Sequence, residues 1–161
     1  MSLLVNLRHL EKKSLFLRGE LTVQELELEN IDEVIHPSEP LQYDLEVQKV
    51  EKAILVQGSL KMSLQCDCVR CLESFPYQLA HPHWTCHLPL EGEERVVLTS
   101  DCVDLTPYIR EDILLEFPQR PLCKPECSGL IGLLHDNVSP GGQHESEKTL
   151  SAWDELDKLK F

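Results

Sequence analysis

The chain has 161 residues, 42% of them hydrophobic, enough to build one ordinary domain core without disulfide staples. Its formal net charge of −13 argues against non-specific hold on a nucleic-acid backbone, which depends on neutralising many phosphates with Lys and Arg. No apolar run reaches transmembrane length, and "MSLLVNLRHLEKK" turns charged before a signal-peptide core could form, so a cytoplasmic protein is expected.

In chain order, "SLFLRGELTVQELELE" spaces Leu15 and Leu17, then Leu26 and Leu28, two apart, which predicts extended segments; a short amphipathic helix is the alternative. "IDEVIHPSEP" is loop composition, with His36 on its surface. Leu41, Tyr43, Leu45 and Val47 then alternate as one face of a strand. The alternation is longer in "AILVQGSLKMSLQCDC", where Leu60, Met62, Leu64, Cys66 and Cys68 share one side. "FPYQLAHPHWTCHLPL" predicts another extended segment, broken near Pro82 and ended by Pro89. Pairing of residues 59–67 with 75–80 makes the intervening cysteines a hairpin knuckle.

A short strand is expected around Val96 to Leu98. In "DLTPYIREDILLEFP" the period changes: Leu105, Ile109, Ile113 and Phe117 lie four apart, Asp104 or Thr106 can cap, and Pro107 suits a first turn, predicting a helix over 105–116. Residues 139–149 have linker composition, and Leu150 and Trp153 begin the stripe of a terminal helix over 150–159. The expected fold is α+β: one domain, residues 1–138, with an antiparallel sheet of barrel-like curvature and two or three helices, followed by a flexible linker and helix over 139–161.

The seven cysteines are odd in number and cluster in pairs, which favours a reducing compartment over a secreted disulfide framework. Cys68 and Cys71 form CxxC; Cys123 and Cys127 form CxxxC. Four thiolates suit tetrahedral Zn²⁺, and such a site would clip the hairpin knuckle to the segment after the helix. Buried, unligated thiols are the competing reading. Thioredoxin-type redox chemistry needs CxxC at a helix start, which Pro76 and its neighbours disfavour. Cys66, Cys86 and Cys102 stand alone and read as packing. His81, His83 and His87 read as surface imidazoles, while His135 is a substitute ligand should the cysteine geometry fail. No Ser-His-acid set, glycosidase-like carboxylate pair or phosphate-binding glycine loop emerges, so no enzyme is expected.

Charge is unevenly spread. Arg8, Lys12, Lys13 and Arg18 face one acid, Glu11, in residues 1–18, whereas residues 19–57 hold ten acids against Lys49 and Lys52. The acidic remainder serves plain solubility or fits a basic protein partner, and the amino-terminal bases, with Arg70, offer a local patch for RNA.

Taken together, "CVRCLESF", "DLTPYIREDILLEFPQRPLC", "CKPECSGL" and the terminal "SAWDELDKLK" resemble the bacterial DUF177 family, also called the YceD family of large-subunit ribosomal RNA accumulation proteins. Cys68, Arg70, Cys71 and Leu72 match its CxRCL signature; Cys123, Cys127, Gly129 and Leu130 match the start of its downstream cysteine region. Many members continue with GLCxxCG, where Ile131 and Leu134 replace the two later cysteines. The resemblance implies a cytoplasmic accessory factor of 50S subunit biogenesis, needed for normal 23S rRNA accumulation or processing and without a known catalytic reaction. Its implied partners are a ribosomal precursor particle and, within it, a basic ribosomal protein or 23S rRNA. A zinc-containing interaction module outside ribosome assembly is the alternative function.

Overall fold

The computed structural model describes residues 2–11 and 13–130. The elements in chain order are β1 (Leu4–Asn6), α1 (Leu7–Leu10), β2 (Leu15–Leu21), β3 (Ile35–Pro37), β4 (Leu41–Val50), β5 (Ala53–Asp67), β6 (Ser74–Pro89), β7 (Cys102–Asp104) and α2 (Thr106–Leu115). The mixed α+β class is as expected. The linker over 139–149 and the helix over 150–159 lie outside the described residues.

The long β5 organises everything. Along one edge it pairs antiparallel first with β4, from Ala53 to Lys61, and then with β3, from Leu64 to Cys66. Its other edge carries β6 along nearly its whole length, and β2 pairs with the far side of β4. The alternation read in the sequence sets the faces. Leu41, Leu45 and Val47 of β4, Val56, Leu60, Met62, Leu64 and Cys66 of β5, and Leu79, Trp84 and Leu88 of β6 are all buried. Burying each such side chain contributes roughly 1.5–3 kcal/mol, so these periodic positions dominate the favourable side of folding. On the same face of β2, Gly19 leaves room for the Tyr43 ring, whose hydroxyl would lie 2.7 Å from an added Cβ. The aromatic ring thus fills the gap that a glycine opens in an edge strand.

The sheet stays open rather than curving into a barrel. Its edges, β2 and β6, do not pair with each other. The register between β5 and β6 slips between Gly58 and Leu60, so Pro82 and His83 together oppose Ser59, and the amide that proline lacks is not required by the ladder. Gly58 itself has φ +158, and a Cβ there would stand 2.0 Å from the Asp44 carbonyl oxygen, so β4 approaches too closely for any side chain.

Helix α2 covers the inner face through Ile109 and Ile113, with Leu105 buried just before it. Asp104 Oδ1 accepts the Thr106 amide at 2.9 Å, while the Thr106 hydroxyl accepts instead from the Leu3 amide at 2.8 Å. The buried Trp84 indole donates to Asp112 Oδ2 at 2.6 Å and fixes α2 against β6.

Local expectations fail in four places: residues 35–37, read as loop, form β3, and β6 runs through Pro82 by way of the bulge without breaking. Leu26 and Leu28 are both buried but not extended: Leu26 N–H donates to Thr22 O and Leu28 N–H to Val23 O, coiling the segment into a turn. Thr22 and Glu25 start it reciprocally, Glu25 accepting from the Thr22 amide and Thr22 Oγ1 from the Glu25 amide. Val96 to Leu98 form no strand, because the Val96 amide is taken by Pro89 O and Val97 points into solvent. The β1–β7 pair supplies a ladder there that the sequence reading did not anticipate.

Candidate metal centre

The β5–β6 connection delivers the first cysteine pair. Cys68 stands one residue beyond β5 and still donates its amide to Glu73 O, so the ladder continues into the knuckle. Leu72 N–H returns to Cys68 O at 2.8 Å, closing a tight turn around Val69, Arg70 and Cys71. To make that turn Leu72 adopts φ +61, a left-handed conformation usually left to glycine or asparagine.

The second pair comes from the proline-restricted segment after α2. Cys127 N–H donates to Lys124 O, a reverse turn that brings Cys123 and Cys127 to the same side. The two knuckles are tied twice besides their sulfurs: Val69 N–H donates to Pro121 O at 3.0 Å, and Arg70 Nη1 donates to Cys127 O at 2.9 Å. Gly129 follows at φ +73, with the Arg70 carbonyl 3.3 Å from where a Cβ would be, so both backbone angle and close approach call for glycine.

The four sulfurs of Cys68, Cys71, Cys123 and Cys127 lie within 4.8 Å of one another. The Cys68–Cys127 and Cys71–Cys123 Sγ pairs are each 3.7 Å apart. Disulfides would need about 2.05 Å, and the cysteines are free thiols. A tetrahedral zinc with bonds of about 2.3 Å separates its sulfurs by about 3.8 Å, so the donor set already has the dimensions of such a site. Burial is high for Cys68, Cys71 and Cys127, and Phe75 and Leu122 pack against them as a small apolar cluster separate from the main core.

Electrostatics points the same way. The Cys123 amide is the largest influence on Cys68 and, with the amides of Cys71 and Arg70, outweighs burial to bring that thiol down to about 6. Burial, followed by the neighbouring sulfurs, pushes Cys123 up to about 12. At Cys71 the Glu73 amide draws the thiol down, but burial and the Cys68 and Cys127 sulfurs outweigh it and the net shift is upward. Crowded sulfurs resist a second negative charge, and a dication at their centre relieves that resistance. With four protein sulfurs around it, a metal would have no open position for substrate.

All four cysteines singled out in the sequence therefore meet at one place. His36 is exposed on β3, with Nε2 3.3 Å from Asp67 Oδ2, and His81 faces Glu116 at 3.8 Å; neither joins the cluster. His135 lies outside the described residues. Cys66 is buried in the main core, whereas Cys86 and Cys102 are half-buried and apart from the cluster. Sequence reasoning missed the clamp from Arg70 to the Cys127 carbonyl; the only signal for it was the placing of Arg70 between Cys68 and Cys71, matching the CxRCL signature. The expected amino-terminal basic patch is partly neutralised. Arg8 pairs with Asp101 and Arg18 with Asp44, and Lys12 lies outside the described residues.

Fold and site together define a small α+β protein whose central hairpin is clasped to its post-helical segment by two cysteine pairs. The family described as large ribosomal RNA subunit accumulation protein YceD matches residues 56–160, and the chain belongs to that family. It is 26% identical over 122 residues to an uncharacterized protein of Mycobacterium leprae, covering 70% of this chain and 56% of that protein. Uncharacterized proteins of Mycobacterium bovis and Mycobacterium tuberculosis are each 27% identical over 127 residues, covering 74% of this chain and 61% of theirs. The chain thus spans 56–61% of the length of these relatives. No solved structure matches. Among the described residues no helix is long and apolar enough to cross a membrane.

Proposed function

We propose that this chain is a non-enzymatic, cytoplasmic accessory factor of 50S subunit biogenesis that supports accumulation or processing of 23S rRNA. The observation that carries the reading is the family match over residues 56–160, which includes both cysteine pairs and α2. The factor acts by protein contact with a precursor particle. A formal charge of −13 suits a basic ribosomal protein better than a phosphate backbone, and pairing of Arg8 with Asp101 and Arg18 with Asp44 reduces the local charge offered to RNA.

Cys68, Cys71, Cys123 and Cys127 hold one Zn²⁺ in this reading. The 3.7 Å sulfur separations and the closed four-sulfur donor set support a structural rather than a catalytic ion, one that locks two chain segments together.

Crosslinking and pulldown from growing cells, with both protein and RNA readout, tests the function. Recovery of large-subunit proteins and 23S rRNA precursors is expected. Recovery of neither, with consistent capture of proteins unrelated to the ribosome, contradicts it and favours an interaction module of another kind.

A further inference from the structure

The edge of β5 changes partner between Lys61 and Leu64, from β4 to β3, and this leaves a notch in the sheet. Two adjoining grooves of about 590 and 780 Å³ meet there at Pro40. The first runs beside β3, with Val23, Leu28 and Ile35 supplying apolar wall and Glu29 at its rim. The second crosses the notch past Glu20, Glu39, Gln42 and Ser63.

Three independent features of this trough point to one kind of occupant. The first is an open backbone edge. Asp67 N–H donates to Val34 O, so alternation along the antiparallel pair turns the Ile35 N–H and C=O away from β5 and towards the groove. Among the described residues no strand pairs with that side of β3. Such an edge takes an extended peptide by strand addition. The second is the apolar floor of Val23, Pro37 and Pro40, beside the buried Leu28 and Ile35, which can seat alternate side chains of such a peptide. The third is charge. Residues 19–39 hold Glu20, Glu25, Glu27, Glu29, Asp32, Glu33 and Glu39 with no Lys or Arg, and among the described residues Lys61 is the one Lys or Arg lining either groove.

We infer that this trough is a docking site for an extended, lysine- or arginine-bearing protein segment, which adds as a short strand to β3 and places its cations against Glu20, Glu29 and Glu39. Resting on the function proposed above, it is the surface through which the chain holds a basic protein of the precursor particle. Acidic groups at the rim speed encounter and reject anionic partners, while the backbone ladder and the apolar floor fix register.

The test uses the full chain and a labelled peptide alternating lysine with valine. Fluorescence anisotropy should show binding that weakens with salt. The charge reversal E20K/E29K/E39K should weaken it about tenfold, because three acid–base contacts are lost and repulsion replaces them. An equal reversal elsewhere on the surface, E51K/E93K/E94K, should leave it unchanged. In hydrogen exchange the peptide should slow the Ile35 amide. Equal weakening by both triple variants, an unprotected Ile35 amide, or occupation of the trough by an rRNA fragment in place of the peptide overturns the inference. In cells depleted of the protein, full restoration of 23S rRNA by E20K/E29K/E39K also overturns it. Unchanged 23S rRNA on depletion would instead remove the ribosomal reading, leaving the peptide measurement to judge the trough by itself.

Discussion

Removing the proposed zinc should cost stability by an amount set largely by the loop that the four cysteines would close around it. Cys71 and Cys123 are 52 positions apart and Cys68 and Cys127 are 59 apart, so a zinc ion bridging them closes a loop of more than fifty residues. Treated as a crosslink, closure of a loop that long removes about 4 kcal/mol of denatured-state entropy at 25 °C. For a chain of this size each kcal/mol moves the melting temperature by about 3 °C, so stripping the metal should lower it by roughly 10–15 °C. The assay is calorimetry of zinc-loaded protein before and after chelation under reducing conditions, with metal quantified in parallel. About one zinc per chain is expected, falling sharply in Cys71→Ser and Cys127→Ser. A melting temperature indifferent to chelation, or protein carefully prepared in zinc that carries none, would rule out a stabilising metal crosslink and leave the four thiols as a packing cluster.

Trp84→Phe should lower stability to urea by about 2 kcal/mol, since it removes the 2.6 Å bond to Asp112 and leaves a half-buried carboxylate without that donor. Gly58→Ala should cost about 3 kcal/mol or more and broaden the spectrum of the β4–β5 region, because the new methyl meets the Asp44 carbonyl; a well-folded variant of native stability would show that the bulge can relax. Burial, and then the charges of Asp112 and Glu111, push the Cys86 thiol up to about 11, two units above the ordinary 9.0. A raised pKa lowers the thiolate fraction, an effect partly offset by the greater nucleophilicity of the more basic thiolate, so at pH 8 Cys86 should alkylate about tenfold more slowly than an unperturbed thiol, the gap closing as pH rises towards 11; mass spectrometry of iodoacetamide-treated protein reads this directly.

What could be read from the sequence was what repeats. In β4 and β5 the two-residue period runs long enough to declare a face, and Leu105, just before α2, with Ile109 and Ile113 within it declares another. The four-cysteine cluster was legible for a related reason: two short cysteine spacings limit which sulfurs a single turn can bring together. Nothing periodic marks β1 and β7, each three residues long, whose partnership joins positions about 100 apart and depends on the Leu3–Thr106 bond beside it. Leu26 and Leu28 misled because a two-residue spacing also fits a tight turn when both side chains fall into the core, and the Thr22–Glu25 capping box was the overlooked signal. The open sheet, the notch at Met62 and Ser63 and the Arg70 clamp all depend on which strands meet along β5, a long-range matter on which local pattern is silent.

A role in large-subunit assembly is tested by depleting the protein in growing cells, followed by sucrose-gradient analysis of ribosomal particles and quantification of 23S rRNA. Loss should reduce 50S particles and mature 23S rRNA relative to 16S rRNA, with recovery on re-expression of the wild-type chain. Unchanged 50S particles and unchanged 23S rRNA after complete depletion would contradict a role in large-subunit assembly.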